Sequence, residues 1–134
     1  MSDTVRTLAE SFVHLGPGGS AVPQPRFTGG MEWYEGYEAR HGADGREGRL
    51  VSRHDFTEDW SAWEMHPHGD ELVICIAGEM VLRQEYPDGR EEQTVLRAGD
   101  YAINPPGVWH IAEIADHASA IFVTAGEGTQ HRPR

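Results

Sequence analysis

The sequence predicts an all-β protein, built as a barrel or a sandwich of short strands. From Asp44-Gly45 to the C-terminus, turn residues divide the chain into short runs of apolar or alternating residues. The eight runs are RLVSRHDF, SAWEMH, ELVICIAG, MVLRQEY, EQTVLR, DYAIN, VWHIAEI and SAIFVTA. Runs of this length and spacing are typical of antiparallel strands. Pro87-Asp88-Gly89, between two alternating runs, predicts a tight hairpin turn.

The first fifty residues follow a different pattern, which predicts an N-terminal arm and one or two short helices. Residues 12–27 contain three prolines and three glycines, which excludes a long helix and favours an extended arm with one edge strand, FVHL. Residues 31–42 place apolar side chains at helical spacing. Residues 1–10 are polar and fit either a short helix or a tail. We therefore expect residues 1–49 to pack on a barrel formed by residues 50–125, with residues 126–134 as a C-terminal tail.

Charge and composition exclude several classes of partner. The net charge is −11, from 11 Lys and Arg against 22 Asp and Glu, so nucleic acid and anionic membrane surfaces are not expected to bind. The single cysteine, Cys75, allows no intrachain disulfide and fits a reducing compartment. No apolar run reaches the length of a membrane span, and the N-terminus lacks the features of a signal peptide. A soluble cytoplasmic protein of one domain is expected.

The stretch Trp63–Glu79 concentrates ligand-type side chains at one end of an apolar run. Glu64, His66, His68, Asp70 and Glu71 fall within eight positions, directly before LVICIA. LVICIA predicts a buried strand that ends at Gly78-Glu79. Because side chains alternate along a strand, Glu64, His66 and His68 are expected on one face. The Gly69-Asp70 turn then returns Glu71 to a place beside His66.

A second polar element lies at Gly99–His110, with the sequence GDYAINPPGVWH. The Pro-Pro-Gly segment forces a rigid bend between two short strands. His110 therefore lies near the start of its strand, as Glu71 lies near the start of its own.

These two elements resemble the two signature motifs of the cupin superfamily. The pattern Gly99-x5-Pro-Pro-Gly-x2-His110 is similar to the second motif. The pattern Glu64-x-His66-x4-Glu71-x6-Gly is similar to the first motif, in which two histidines precede a glutamate and a glycine. The resemblance covers about residues 50–125. It implies a double-stranded β-helix, or jelly-roll barrel, with a pocket between its sheets.

The first motif departs from the family pattern, and two registers are open. The visible pair His66-x-His68 leaves only two residues before Glu71, where the family leaves three or four. Alignment on Glu71 puts His66 in the place of the second histidine and Glu64 in that of the first. We prefer this register, since a Glu-for-His exchange keeps the path of the backbone. His68 then lies in the turn, at the rim of the pocket.

The resemblance implies a divalent metal ion, Fe, Mn, Ni or Zn, held by His66, Glu71 and His110 with Glu64 as a fourth ligand or as a base. Glu64 and His68 are the candidate catalytic residues. Without a metal, Glu64 and Glu71 would repel each other, and one of them would hold a proton.

Two functions fit such a site. The first is a metal-dependent oxygenase, isomerase or lyase that acts on a small molecule, and the second is a non-catalytic barrel that binds a small ligand or keeps a vestigial site. We also expect a homodimer, in which residues 12–27 contact the partner or cap the home barrel.

Other aromatic and histidine residues are predicted to have lesser roles. Trp60, Trp63 and Trp109 are expected to pack or to lie at the barrel rim. Four other histidines lack partners at ligand spacing: His14, His41, His54 and His117.

Overall fold

The structure, a computed structural model, describes residues 5–134. Within that range it has ten strands and one α-helix. They are β1 (Val13–Gly16), β2 (Ser20–Pro23), α1 (Met31–His41), β3 (Arg49–Phe56), β4 (Ala62–Met65), β5 (Glu71–Glu85), β6 (Glu91–Arg97), β7 (Tyr101–Asn104), β8 (Trp109–Glu113), β9 (Ala118–Thr124) and β10 (Gln130–Pro133). Short 3₁₀ helices occupy Pro17–Gly19 and Gly42–Glu47. Residues 1–4 of the predicted N-terminal helix or tail lie outside the described residues, and residues 8–10 form a turn.

The strands form one continuous antiparallel sheet that folds into a double-stranded β-helix, so the predicted fold class is confirmed. The strand order is β10-β4-β8-β5-β9-β3-β1-β2, and β6 and β7 also pair with β5. The first half of β5 pairs with β7 and β9, and its second half pairs with β6 and β8. The long strand β5 therefore belongs to both layers of the barrel.

The strand β5 does not end at Gly78-Glu79, as the sequence had suggested, but continues to Glu85. Its pairing with β9 is interrupted by a register shift between Cys75 and Ala77, and Gly78 has a φ of 69°. Only glycine adopts this conformation readily. The strand therefore bends at Gly78 without breaking, and it passes from one layer to the other.

The barrel core consists of the inward-facing residues of these strands. On β5, buried positions alternate with partly exposed ones, as expected for a strand with one face in the core. The main buried cluster contains Val73, Cys75, Met80, Leu82, Leu96, Ala112, Ile114, Ala118, Ala120 and Phe122. This cluster fixes the register of the strands that carry the polar site.

The N-terminal segment packs on the barrel of its own chain. The helix predicted over residues 31–42 is confirmed as α1. FVHL, however, is not an edge strand, because β1 pairs with both β2 and β3. The edge strand beside β1 is β2, and the sequence did not predict this strand. Phe12, Trp33 and Leu50 form a second buried cluster, so the arm covers one side of the barrel with its aromatic side chains.

The predictions for the hairpin between β5 and β6 and for the C-terminal segment had different outcomes. The hairpin at Pro87-Asp88-Gly89 is confirmed, because the Tyr86 backbone N–H donates to the Arg90 carbonyl at 2.8 Å and β5 pairs with β6. In the expected C-terminal tail, Gln130–Pro133 instead form β10, which pairs with β4. This polar segment has no apolar alternation, so its sequence gave no strand signal.

No helix in residues 5–134 combines the length and the apolar character that crossing a membrane would require.

Candidate metal centre

Three neighbouring strands bring four potential metal ligands to one end of the barrel. Glu64 on β4 lies directly opposite His110 on β8. His66 follows the last residue of β4, and Glu71 is the first residue of β5. Because side chains two residues apart share a face, Glu64 and His66 both point inward. The turn between β4 and β5 then brings Glu71 beside His66, as the sequence predicted.

The ligand atoms of these four residues converge on one point. His66 Nε2 lies 3.1 Å from Glu64 Oε1 and 3.1 Å from Glu71 Oε2. His110 Nε2 lies 3.2 Å from Glu71 Oε1 and 3.5 Å from Glu64 Oε1. One ligand atom from each residue lies within 4.8 Å of the other three. Two imidazole nitrogens and two carboxylates thus surround a space that a single cation can occupy.

A hydrogen bond at Nδ1, the ring nitrogen that does not face the carboxylates, fixes the orientation of the His66 ring. Its Nδ1 atom lies 2.8 Å from the Thr129 hydroxyl oxygen, and that hydroxyl donates its own proton to the Gly126 carbonyl at 2.8 Å. The hydroxyl can therefore only accept from the ring, so Nδ1 carries the hydrogen. Nε2 therefore faces the carboxylates. Without a metal it carries a proton and donates to Glu71 Oε2 at 3.1 Å, and a metal that displaced this proton would bind Nε2, as in a metal-bound histidine that donates its other N–H.

A buried network holds the Glu71 carboxylate in place. Thr124 Oγ1 donates to Glu71 Oε2 at 2.6 Å, and Asn104 Nδ2 donates to Glu71 Oε1 at 3.1 Å. Gln84 Nε2 in turn donates to Asn104 Oδ1 at 2.7 Å. Glu71, Asn104 and Gln84 are all buried. Each carboxylate oxygen is thereby fixed in direction before any ligand binds.

His110 has no comparable support. Its side chain is fully buried, and neither ring nitrogen makes a well-directed hydrogen bond within residues 5–134, although Nε2 is close to both carboxylates. Buried polar atoms without partners are rare in proteins and need an explanation. A cation between His110, Glu64 and Glu71 would satisfy Nε2, so the donor set fits a divalent metal ion.

Without a metal, protons on the histidines balance the two carboxylates. Burial alone would raise the pKa of Glu71 and lower that of His66, but their mutual attraction outweighs burial. The pKa of Glu71 is lowered to about 2, and that of His66 is raised to about 10. At Glu64 and His110, too, the attraction between carboxylate and imidazole outweighs burial. It holds the pKa of Glu64 well below its ordinary value and raises the pKa of His110. The expectation that a carboxyl group holds the proton is therefore corrected, since the imidazole rings hold it.

His68 is not brought to this centre. It is exposed, and it lines a separate depression together with Arg49 and Asp70. β4 ends at Met65, and the bend at Pro67 interrupts the alternation that would have placed His68 beside His66. The group of four converging ligand atoms therefore does not include His68, and its catalytic role stays a prediction.

The sequence missed several residues that support the centre. His131 on β10 lies opposite Glu64, with its Nε2 atom 3.1 Å from Glu64 Oε2. Thr124, Thr129 and Asn104 were also missed. The only local signal was that Asn104 is a polar residue at the end of an apolar strand, beside the Pro-Pro-Gly segment.

A second group of polar residues lies where α1 meets the barrel, which corrects the expectation that His14 and His41 lack partners. His14 Nε2 lies 2.7 Å from Asp44 Oδ2, and its Nδ1 lies 2.6 Å from the Tyr37 hydroxyl. The His41 ring stacks on His14 with centroids 4.0 Å apart. Both nitrogens of His14 are satisfied, so this group ties α1 and Gly42–Glu47 to β1.

Of the three tryptophans Trp60, Trp63 and Trp109, two pack against an arginine and one lines a cavity. Trp63 and Trp109 both contact the Arg132 guanidinium, at 4.9 and 4.7 Å from their ring centroids. Trp60 instead lines a cavity of about 770 Å³. Glu64, His66 and Glu71 also line this cavity. The candidate metal centre therefore faces a space large enough for a small molecule.

Fold and site together define an antiparallel jelly-roll barrel with a candidate metal centre of two histidines and two glutamates. The Cupin_2 family model, a cupin domain, matches residues 57–126, which is just over half of the 134 residues. The chain belongs to the cupin family. A comparison with curated proteins found no match.

Solved structures share the fold. An uncharacterised conserved protein with a double-stranded β-helix domain from Klebsiella pneumoniae has a TM-score of 0.53 and 26% identity, over 64% of this chain and 76% of that chain. Peruvianin-I, a cysteine peptidase from Thevetia peruviana latex, has a TM-score of 0.54 and 20% identity. The match covers 63% of this chain and 56% of the peptidase chain, so this protein spans little more than half of the length of peruvianin-I.

Proposed function

We propose that the protein is a cupin metalloprotein in which His66, His110, Glu71 and Glu64 hold one divalent metal ion, and that it acts as an oxygenase, isomerase or lyase on a small molecule. The observation that carries this proposal is the hydrogen bond from His66 Nδ1 to Thr129. It turns Nε2 toward two carboxylates, so that a metal which displaced the Nε2 proton would meet four ligand atoms that lie within 4.8 Å of one another. Nitrogen and oxygen donors in these numbers suit Fe, Mn, Ni or Zn.

Access from the cavity supports a reactive site. Glu64 is the most accessible of the four ligands, with 27% of its side chain exposed, whereas His66 and Glu71 are each 3% exposed. A bound metal would supply Lewis-acid polarisation of a substrate oxygen. Small molecules that enter the cavity reach the centre from the side of Glu64.

Glu64 also has a route for protons. Its Oε2 atom lies 3.1 Å from His131 Nε2, and the His131 side chain is 51% exposed. A proton can therefore pass between Glu64 Oε2 and solvent through the His131 ring. This route gives Glu64 an acid–base role at the edge of the centre.

The metal proposal can be tested by thermal unfolding of metal-free protein with added Mn(II), Fe(II), Ni(II) or Zn(II). A ligand that binds only the folded state at 100 times its Kd stabilises it by about 2.7 kcal/mol. We expect at least one metal to raise the Tm of the wild type and of His117→Ala, an exposed histidine outside the centre. The same metal should leave the Tm of His110→Ala unchanged. An equal rise in His110→Ala would refute the assignment.

One observation favours the non-catalytic alternative. Protonated histidines balance the two glutamates, so the centre can persist without a metal as a vestigial polar cluster. The two functions differ in whether a metal position is open. We expect azide to change the visible absorption of the Co(II)-loaded protein. Bound Co(II) whose spectrum does not respond to azide would favour the non-catalytic alternative.

A further inference from the structure

The ring of His110 is held differently from the ring of His66. The Nδ1 atom of His66 donates to the Thr129 hydroxyl, whereas the Nδ1 atom of His110 is buried and has no hydrogen-bond partner within residues 5–134. A histidine that binds a metal ordinarily donates its other N–H to a group that fixes the ring. Contacts of another kind must therefore orient His110.

Two aromatic rings contact His110 in the described part of the chain. The centroid of the His66 ring lies 5.2 Å away, and the centroid of the Trp60 ring lies 6.0 Å away at an interplanar angle of 66°. A steep angle at this distance is a favourable geometry for a pair of rings. Gln84 lies opposite His110 on β5, but its amide N–H groups donate to residues of β7 instead. Trp60 is therefore the ring neighbour of His110 that is not itself a proposed metal ligand.

Backbone contacts tie Trp60 to the strand that carries His110. The Trp60 N–H donates to the carbonyl of Ala112 at 3.0 Å, and Ala112 lies two residues after His110 on β8. The carboxylate of the preceding residue, Asp59, accepts the Ile114 N–H at 2.6 Å. These two hydrogen bonds fix the place of Trp60 relative to His110.

The barrel core holds the Trp60 ring itself. Its centroid lies 5.6 Å from that of Phe56 and 6.0 Å from that of Phe122. Phe122 belongs to the main buried cluster, and Phe56 and Trp60 pack against this cluster. Side chains in a closely packed core stay in one rotamer on average. The Trp60 ring therefore offers His110 a rigid surface before any metal binds.

We propose that Trp60 is a positioning residue for His110. Its ring keeps the imidazole in the orientation in which Nε2 faces Glu64 and Glu71, as the Thr129 hydroxyl does for His66. The inference rests on the proposed function, because the orientation of His110 matters for binding only if the centre takes up a metal.

The affinity of the full-length protein for Co(II), measured by competition with a chromophoric chelator, tests this role. Loss of a group that orients a metal-binding histidine typically costs about 10- to 100-fold in affinity. We expect a loss of about tenfold in Trp60→Leu, which removes the ring. Trp60→Phe keeps a ring against His110 and should stay within about threefold of the wild type. Equal affinities in the wild type and Trp60→Leu would overturn the proposal.

Phe56→Leu is the matched control for a general loss of packing. Phe56 contacts Trp60 and Phe122, and no ring contact joins it to His110 within residues 5–134. Both leucine variants remove a ring from the same aromatic group, so both should lower the Tm of the metal-free protein. Only Trp60→Leu should lose affinity for Co(II). An equal loss of affinity in Phe56→Leu would show that Trp60 acts through the stability of the core alone.

The visible spectrum of the Co(II)-saturated protein reports the coordination geometry directly, whatever the stability of the variant. We expect Trp60→Leu to change the position or intensity of the Co(II) bands at saturation. Trp60→Phe and Phe56→Leu should keep the bands of the wild type. A wild-type spectrum in Trp60→Leu would contradict a positioning role.

A measurement without metal separates this inference from the proposed function. The ring-proton resonances of His110 can be identified by their loss in His110→Gln. In metal-free protein we expect them to be sharp in the wild type and in Phe56→Leu, and broadened or doubled in Trp60→Leu. Sharp single resonances in Trp60→Leu would contradict the inference. A wild type that binds no Co(II), with the expected change in these resonances, would contradict the metal proposal and support the role of Trp60.

Discussion

The Nδ1 atom of His66 lies 2.8 Å from the hydroxyl oxygen of Thr129, across 63 residues of sequence. The Thr129 proton is already donated to the Gly126 carbonyl, so the hydroxyl orients the ring by accepting its N–H. Loss of such a supporting contact usually lowers metal affinity by about 10- to 100-fold. We expect this loss in Thr129→Val, measured by competition with a chromophoric chelator.

Thr129→Ser is the matched control for this prediction, because it keeps the hydroxyl and removes only a methyl group. We expect its metal affinity to stay close to that of the wild type. Equal affinities in the valine and serine variants would show that the hydroxyl does not orient His66.

The choice between Glu64 and His68 can be decided by a pair of substitutions. Glu64 lies 3.1 Å from His66 Nε2, whereas His68 is exposed in a separate depression. Glu64→Gln should therefore weaken metal binding or change which metal is preferred, and His68→Ala should leave both unchanged. Metal analysis of the two variants tests this directly. Loss of metal in His68→Ala with retention in Glu64→Gln would establish the other register.

The stability of the metal-free protein should depend on pH through the same centre. The pKa of His66 is raised from 6.5 to about 10, so its contribution is fully present below pH 6.5 and is lost as the pH rises toward 10. The pKa of Glu71 is lowered from 4.5 to about 2, so its contribution is present above pH 4.5 and is lost as the pH falls toward 2. The centre therefore stabilises the metal-free protein most between pH 4.5 and 6.5.

Metal binding should become stronger as the pH rises, because a metal must displace the protons from both histidines. We expect the difference in Tm between metal-loaded and chelator-treated protein to grow as the pH rises from about 5.5 to about 8. The measurement is a series of melting curves with His66→Gln as the control. A difference that shrinks over this range would contradict the assignment of the histidines as ligands.

An alanine substitution at Gly78 tests the account of the bend in β5. With its φ of 69°, a Cβ atom at this position would overlap the His117 carbonyl oxygen. Gly78→Ala should therefore lower the free energy of unfolding by about 3 kcal/mol or more. Gly89 has a φ of 90° and open space around its Cα, so Gly89→Ala should cost only about 1 kcal/mol. Urea denaturation that shows equal losses would contradict this account of the bend.

The homodimer remains a prediction. Residues of the N-terminal arm cap the home barrel through β1 and Phe12, and they leave β2 as an edge strand with Val22 37% exposed. Such an edge can pair across a two-fold axis. Sedimentation should show about twice the monomer mass of 14.9 kDa, and Val22→Lys should shift the protein to monomer. A wild-type monomer at tens of micromolar would refute the dimer.

Local signals in the sequence predicted most of the barrel. Alternating apolar residues and turn residues act between near neighbours, so the strands and the hairpin at Pro87-Asp88-Gly89 could be recognised. The continuity of β5 could not, because a glycine such as Gly78 ends some strands and bends others. β10 was missed since Gln130–Pro133 carry no apolar pattern.

The candidate site was predictable for a different reason. The spacing of Glu64, His66 and Glu71 within one strand-turn-strand unit fixed their relation, and the family resemblance added His110. The residues that orient them, such as Thr129 and Asn104, come from distant strands. Only the folded barrel brings them together, so no local pattern could reveal them.

The central claim, that His66, His110, Glu71 and Glu64 hold a divalent metal, is tested most directly by elemental analysis of protein purified without a chelating tag. The protein should be analysed as isolated and after incubation with Fe(II), Mn(II), Ni(II) and Zn(II) followed by gel filtration. The account predicts about one equivalent of a transition metal per chain, as expected for a single four-ligand site. Protein that stays metal-free after all four incubations would contradict it.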